Sequence, residues 1–315
     1  RAKAPAPSAI TYRDITYASC AADILQLATA RPDLASLSTT QALYGLRTVG
    51  TCRNADGSRT TCQNYVLEIT NRSSAAADPA RPEILISGAL HGDERVGPAT
   101  ALALARWLVL RYDVDPWVRR LVDTRVVIIM PMTNAIGVEA NSRAEMGIDP
   151  NRDFPYDQTP AACMQTVAAR SINELYRARL LQLVITFHGG MQAIGYNWGS
   201  FNYRTGKPHR SPDDASQVGM VGAMSSFAGT GHVPGQRDYP SAPMNDIVYP
   251  VHGGMEDWGY AASWDRAFVT PCKPRSDRGP YSESRTQYND AQVRAFTVLV
   301  ETSDSKRPRA ETYGT

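Results

Sequence analysis

His91 and Glu94 stand three residues apart just after an apolar run, EILISGAL (residues 83–90), and His188 ends a second run, LQLVITF, ahead of two glycines. Two imidazoles and one carboxylate form a donor set that suits a hydrolytic Zn2+, since three protein ligands leave a fourth position for water. HxxE by itself decides little, because a turn histidine and a glutamate near a helix dipole read the same way. His188 by itself reads equally as a hydrogen-bonded core histidine. Order and setting change the balance. Of the five histidines (His91, His188, His209, His232 and His252), these two follow strand-like runs, and a later carboxylate, Glu301, closes the apolar run AFTVLV.

Those runs must be strands if the side chains are to converge. EILISGAL, RVVIIM and LQLVITF have strand length, as does NYVLEIT. Between them, GPATALALARWLVLRY and AACMQTVAARSINELYRARL carry helical apolar spacing, and ADILQLATA does so before the breaker Pro32. The alternation predicts an α/β fold, a single-domain, mixed, largely parallel twisted sheet with helices on both faces. The ligands then lie at the C-terminal ends of strands, where open α/β sheets bind their ligands. Gly92 is expected to allow a sharp turn between the first two ligands, and Glu301 to sit at the sheet edge. Residues 10–315 are expected to form one catalytic domain behind a flexible Pro/Ala-rich tail, residues 1–9. The loops RTGKPHRSPDD (204–214) and TPCKPRSDRGPY (270–281) are expected to rim the cleft.

Four strings then carry a resemblance. LHGDERVG (90–97), GIDPNRDFP (147–155), YPVHGGMEDW (249–258) and FTVLVETSDSKRP (296–308) are similar, in that order, to four motifs of the M14 family of zinc carboxypeptidases. Those motifs are the first metal motif, the substrate-carboxylate motif, the mobile-tyrosine segment and the catalytic-glutamate strand. The match runs over residues 12–308, and HGDE, FHGG, NRDFPYDQ and GGMEDW resemble the regulatory branch more than the pancreatic one. The resemblance implies that His91, Glu94 and His188 hold one Zn2+, and that Glu301 takes a proton from water and returns it to the leaving amine. It implies that Asn151 and Arg152 bind a free C-terminal carboxylate, the guanidinium through its planar fork, and that Tyr249 closes over it. Arg143, eight residues before Asn151, is the arginine implied to stabilise the oxyanion; its other reading is a solvated loop arginine.

Specificity rests on two departures. Regulatory members that cut after basic residues carry Asp where this chain has Gly199. Glu256, seven residues after Tyr249, stands where carboxypeptidase B has Asp and carboxypeptidase A an apolar residue. A carboxylate there favours C-terminal Lys or Arg; the other reading pairs Glu256 with an arginine such as Arg266 and leaves a neutral pocket lined by Met255. Asp93 replaces an arginine with which digestive members bind longer peptides. The expected function is a zinc-dependent exopeptidase removing single C-terminal residues from peptides or proteins, with preference for Lys or Arg. Its alternatives are an apolar or aromatic preference, an M14-type amidohydrolase acting on bacterial wall peptides, and a silent binding module, against which the intact ligands and Glu301 argue.

Composition agrees. The 315 residues carry 33 Lys and Arg against 31 Asp and Glu, a net charge of +2, so charge makes no case for a nucleic-acid or membrane partner. Runs such as RVVIIMPM are too short to span a bilayer. The expected partners are peptide or protein C-termini, and the expected state is a monomer. No GxSxG elbow or Walker A loop is present. Cys52 and Cys62 flank RNADGSRTT, whose DG signals a hairpin, so a disulfide across that turn is expected; the pairing of Cys20, Cys163 and Cys272 is left open. Asn71 begins a possible N-glycosylation sequon. Cysteine usage and a start at Arg1 without Met lead to the expectation of a removed presequence and a secreted or periplasmic protein. With fourteen residues after Glu301, no further β-sandwich is expected.

Overall fold

The computed structural model describes residues 14–48, 50–203, 210–228, 239–286 and 295–313. The expected tail, His209 and His232 lie outside them. The first half of the chain runs α1 (Tyr17–Ala30), β1 (Ala35–Thr39), α2 (Thr40–Tyr44), β2 (Thr51–Arg53), β3 (Arg59–Thr61), β4 (Tyr65–Ile69), α3 (Arg72–Ala77), β5 (Glu83–Ser87), α4 (Val96–Arg111), α5 (Pro116–Thr124), β6 (Val126–Met130) and α6 (Ala135–Ala140). The second half runs α7 (Val167–Ala178), β7 (Leu181–His188), β8 (Met191–Tyr196), α8 (Asp214–Ala228), β9 (Ser241–Pro243), α9 (Met244–Ile247), α10 (Met255–Ala261), α11 (Glu283–Thr286) and β10 (Phe296–Ser303).

The large sheet has the order β1-β4-β6-β5-β7-β10-β8-β9. Its centre, β6-β5-β7-β10, is parallel, while β1, β4 and β8 join antiparallel. The expected mixed, largely parallel sheet is present. Every residue of β6 is buried, as a parallel strand covered on both faces requires. The pleat divides the core: Ile86, Val127 and Ile129 pack with Ile24, Leu102, Ala105 and Val118 of α1, α4 and α5, while Leu85, Ile128 and Met130 pack with Ile172, Leu175 and Trp258 of α7 and α10.

Local signals set the helix ends. Thr16 and Ser19 form a reciprocal capping box at α1, and Asp115 caps α5 ahead of Pro116. The α7 run begins later than its apolar spacing suggests. Thr166 caps Val167–Ala178, and Cys163 just before it is bonded to Cys272. Asp153 and Glu145 also accept backbone N–H groups of residues 165–168, satisfying donors at that helix start. The expected Cys52–Cys62 bond spans the β2–β3 hairpin, and Cys20 is buried outside any disulfide. Loop 270–281 does not rim the cleft. It is tied to α7 by the Cys163–Cys272 bond and by Arg170, whose guanidinium donates to backbone carbonyls of Arg275, Arg278 and Gly279. Asn71 caps α3 and its amide donates to Tyr112 and Asp123, so the sequon nitrogen is engaged.

Candidate metal centre and cleft

His188 is the last residue of β7 and pairs in parallel register with Glu301 of β10, so these two strands bring both residues to one end of the sheet. Glu301 does not end its strand: β10, between β7 and β8, continues two residues further to Ser303, although Glu301 stands at the same end of the sheet as His188. β5 ends at Ser87, and His91 follows three intervening residues, of which Ala89 is held at φ 48°. The expected turn between the ligands is present, closed by the Glu94 N–H donating to the His91 carbonyl, and Gly92 has a second purpose there. A Cβ there would lie 2.0 Å from the Gly137 carbonyl carbon, so glycine lets the ligand loop press against α6.

The imidazoles of His91 and His188 meet edge to face, with Nδ1 atoms 3.1 Å apart. Glu94 Oε1 is 3.0 Å from His91 Nδ1, and Oε2 is 3.2 Å from His188 Nδ1 without a donor aligned on it. All three residues are buried, and one ligand atom from each falls within 4.8 Å of the others. Each outer nitrogen meets a carboxylate: His91 Nε2 lies 3.1 Å from Asp149 Oδ1, and His188 Nε2 lies 3.5 Å from Glu256 Oε1. Such partners favour a proton on Nε2 and turn the Nδ1 lone pairs inward, as metal-ligating histidines require. The N, N, O donor set with a poorly satisfied carboxylate oxygen fits Zn2+.

The electrostatics are those of a site made for a cation. Burial pushes Glu94 up, but His188 and His91 outweigh it and hold the carboxyl well below the usual range. Burial pushes His188 down, but Glu256 and Glu94 reverse this and raise it to about 10. Burial also raises Glu301, whose Oε2 is buried without a hydrogen-bond partner.

A cavity of about 230 Å³ joins His91, Glu94 and His188 to Arg143, Asn151, Arg152, Tyr249, Glu256 and Glu301. Arg143 is not a solvated loop arginine. Its Nη2 lies 2.9 Å from Asp149 Oδ2 and its Nη1 3.5 Å from Glu94 Oε1. Asn151 and Arg152 sit on a single 3-10 turn whose start is fixed by Asp149 accepting the Asn151 N–H. Asn151 Oδ1 accepts the Met255 N–H at 2.8 Å and so caps α10. The Arg152 guanidinium lies over the Tyr249 ring, 5.8 Å from its centroid, and Tyr249 is half exposed.

Glu256 does not follow its expected alternative, since it meets His188 and Asn151, and Met255 is buried in the core behind the pocket. The methionines lining the cavity are Met191 and Met244. Burial favours neutral Glu256, but His188 brings its pKa below the usual carboxylate value; burial pushes neighbouring Asp257 up to about 7. Asp257 accepts the Gly199 N–H at 3.0 Å, so a carboxylate adjoins Gly199 although that residue has no side chain.

Residues 58–279 match the zinc carboxypeptidase (Peptidase M14) family. The chain belongs to that family. Carboxypeptidase SOL1 of Arabidopsis thaliana is 27% identical over 201 residues, covering 62% of this chain and 40% of that protein. Carboxypeptidase D of Homo sapiens is 28% identical over 218 residues, covering 62% of this chain and 15% of that protein. The chain thus spans less than half the length of these two relatives. In fold, it is similar to the crystal structure of the carboxypeptidase A from Helicoverpa armigera, with a TM-score of 0.62 and 16% identity over 94% of this chain and 66% of that one. Zinc is the family's metal, and His91, Glu94 and His188 are the group positioned to hold it.

Asp149 and Lys306 were not singled out in the sequence. Asp149 lies two residues before Asn151 inside a quoted motif, and a carboxylate so placed was the available signal for a partner of His91. Lys306 lines the cavity from the segment after β10.

Proposed function

We propose that the protein is a zinc-dependent carboxypeptidase that removes single residues from peptide C-termini and prefers Lys or Arg. The observation that carries this reading is one cavity holding a buried His-Glu-His set, a carboxylate at Glu301 whose Oε2 is buried without a hydrogen-bond partner, and an arginine, Arg152, one residue from Asn151. Bound Zn2+ supplies a Lewis acid that polarises the scissile carbonyl and lowers the pKa of water toward neutrality. Arg152 and Asn151 bind the terminal carboxylate, and Tyr249, stacked on Arg152, closes over it. Glu301 takes the proton of the attacking water and passes it to the leaving amine. Arg143, held by Asp149 beside the ligands, donates to the developing oxyanion.

The basic preference is supported by Glu256, a buried carboxylate on the cavity wall whose pKa is below the ordinary value. An apolar preference has its own support in Met244, Val248, Val251 and Leu299, which line the same space. Hydrolysis of dansylated peptides that differ only in the last residue tests both. Zinc-dependent release of C-terminal Arg in preference to Phe is expected, whereas no zinc-dependent release of any terminal residue would overturn the function. Two disulfides support an extracellular or periplasmic setting.

A further inference from the structure

Lys306 lines the catalytic cavity, and the reaction as described makes no use of it. Its Nζ lies 3.1 Å from Asp93 Oδ2 and 3.2 Å from Glu94 Oε1. Its backbone carbonyl accepts the Arg95 N–H at 2.9 Å, so the residue is moored to the loop that carries Glu94. Contacts run from Asn151 to Glu256, then His188, Glu94 and Lys306. Asn151 and Lys306 line the same cavity, and the contacts that join them pass through Glu94 of the metal-binding set. If the departing residue is gripped at Asn151 and Arg152, as the exopeptidase reading requires, the rest of the peptide leaves past the metal set toward Lys306. Gly189 and Gly190 line that part of the cavity.

We propose that Lys306 reads the residue on the N-terminal side of the scissile bond and favours Asp or Glu there, an inference that rests on the exopeptidase reading. The ammonium has three donors and two carboxylate neighbours. With Zn2+ held, the charge of Glu94 is committed to the metal, and an acidic substrate side chain takes its place as the second carboxylate on Lys306. The other described cavity cations are occupied differently, Arg143 with Asp149 and Arg152 with Tyr249 and the Asn151 carbonyl. Lys306 is about a third exposed, so solvent screening keeps the preference to roughly two- to five-fold.

The test compares two peptides with the same C-terminal residue and either Glu or Gln before it. One readout is the kcat/KM ratio of the wild type, Lys306→Met and Asp93→Asn; the other is the Kd ratio of the same peptides on zinc-loaded Glu301→Gln protein with and without those changes. Wild type is expected to favour Glu, Lys306→Met to bring both ratios to about one, and Asp93→Asn, which removes a competing carboxylate, to raise them. Because Asp93→Asn acts in the opposite direction, the inference stays testable if Lys306→Met fails to fold. Ratios near one in the wild type that neither substitution moves, on a protein that cleaves both peptides, overturn the role of Lys306 and leave the exopeptidase reading intact. A wild type that cleaves neither peptide overturns both.

Discussion

Asn151 donates from Nδ2 to Oε1 of Glu256 across 3.3 Å, and that same oxygen stands 3.5 Å from Nε2 of His188. One buried carboxylate thus links a residue assigned to the substrate with a metal ligand. A cationic substrate end must share Glu256 with His188, which sets up a direct test. Glu256→Gln keeps the shape and an acceptor oxygen while removing the charge. The ratio of kcat/KM for peptides ending in Arg over Phe is expected to fall by about 5- to 150-fold, the equivalent of roughly 1 to 3 kcal/mol. An unchanged ratio with weaker zinc binding would assign Glu256 to His188 alone.

Glu301 reaches the cavity from β10, two residues before the end of that strand, in register with His188. Its assigned task concerns the water and not the metal. Glu301→Gln is therefore expected to retain one zinc per protein by elemental analysis while turnover drops by at least about 10²-fold. Turnover close to wild type would remove the base assignment.

Much of this was legible in the sequence because the signals were local. LQLVITF and VVIIM are apolar runs of strand length, and strands buried on both faces need no alternation. The ligand residues were legible because each follows such a run. What escaped was set by distant parts of the chain. Sequence spacing does not show that β10 inserts between β7 and β8, nor that it runs past the apolar residues to Ser303, beyond Glu301. Nor does it show that Cys163 pairs with Cys272, 109 positions away, or that Gly92 faces Gly137. The setting of Glu256 depends on Asn151 capping α10, a contact across 104 positions.

Metal removal should reveal the proton that His188 carries. In the metal-free protein, Glu256 and Glu94 overcome burial and raise His188 to about 10, so at neutral pH zinc must displace a proton from it. Raising the pH from about 6 toward 9 lowers the competition from that proton and strengthens zinc binding. The same group stabilises the metal-free fold fully below the unfolded histidine pKa, about 6.5, and loses that contribution as pH rises toward its folded value. Both effects have one sign: the Tm difference between zinc-loaded and chelated protein should widen from pH 6 to pH 8.5. His188→Ala should abolish the difference at both pH values. A gap that narrows with rising pH would contradict the protonated His188.

Gly253 offers a test of the carboxylate grip from outside the charged residues. It has φ 66°, and a Cβ there would lie 2.4 Å from the Arg152 carbonyl oxygen. Its backbone also bonds both ways with the segment after Arg152, donating to the Tyr156 carbonyl and accepting from the Phe154 N–H. The segment bearing Tyr249 and the turn bearing Arg152 are thus held together where only glycine fits. Gly253→Ala must push them apart, and left-handed backbone adds about 1 to 2 kcal/mol for a residue with a side chain. Misplacing Arg152 by about 1 Å is expected to lower kcat/KM by on the order of 10²-fold, carried mainly by KM, with zinc content unchanged. Discrimination between peptides with a free terminal carboxylate and the same peptides amidated should shrink in step. Kinetics within twofold of wild type, with that discrimination intact, would mean that the carboxylate is gripped elsewhere than at Arg152.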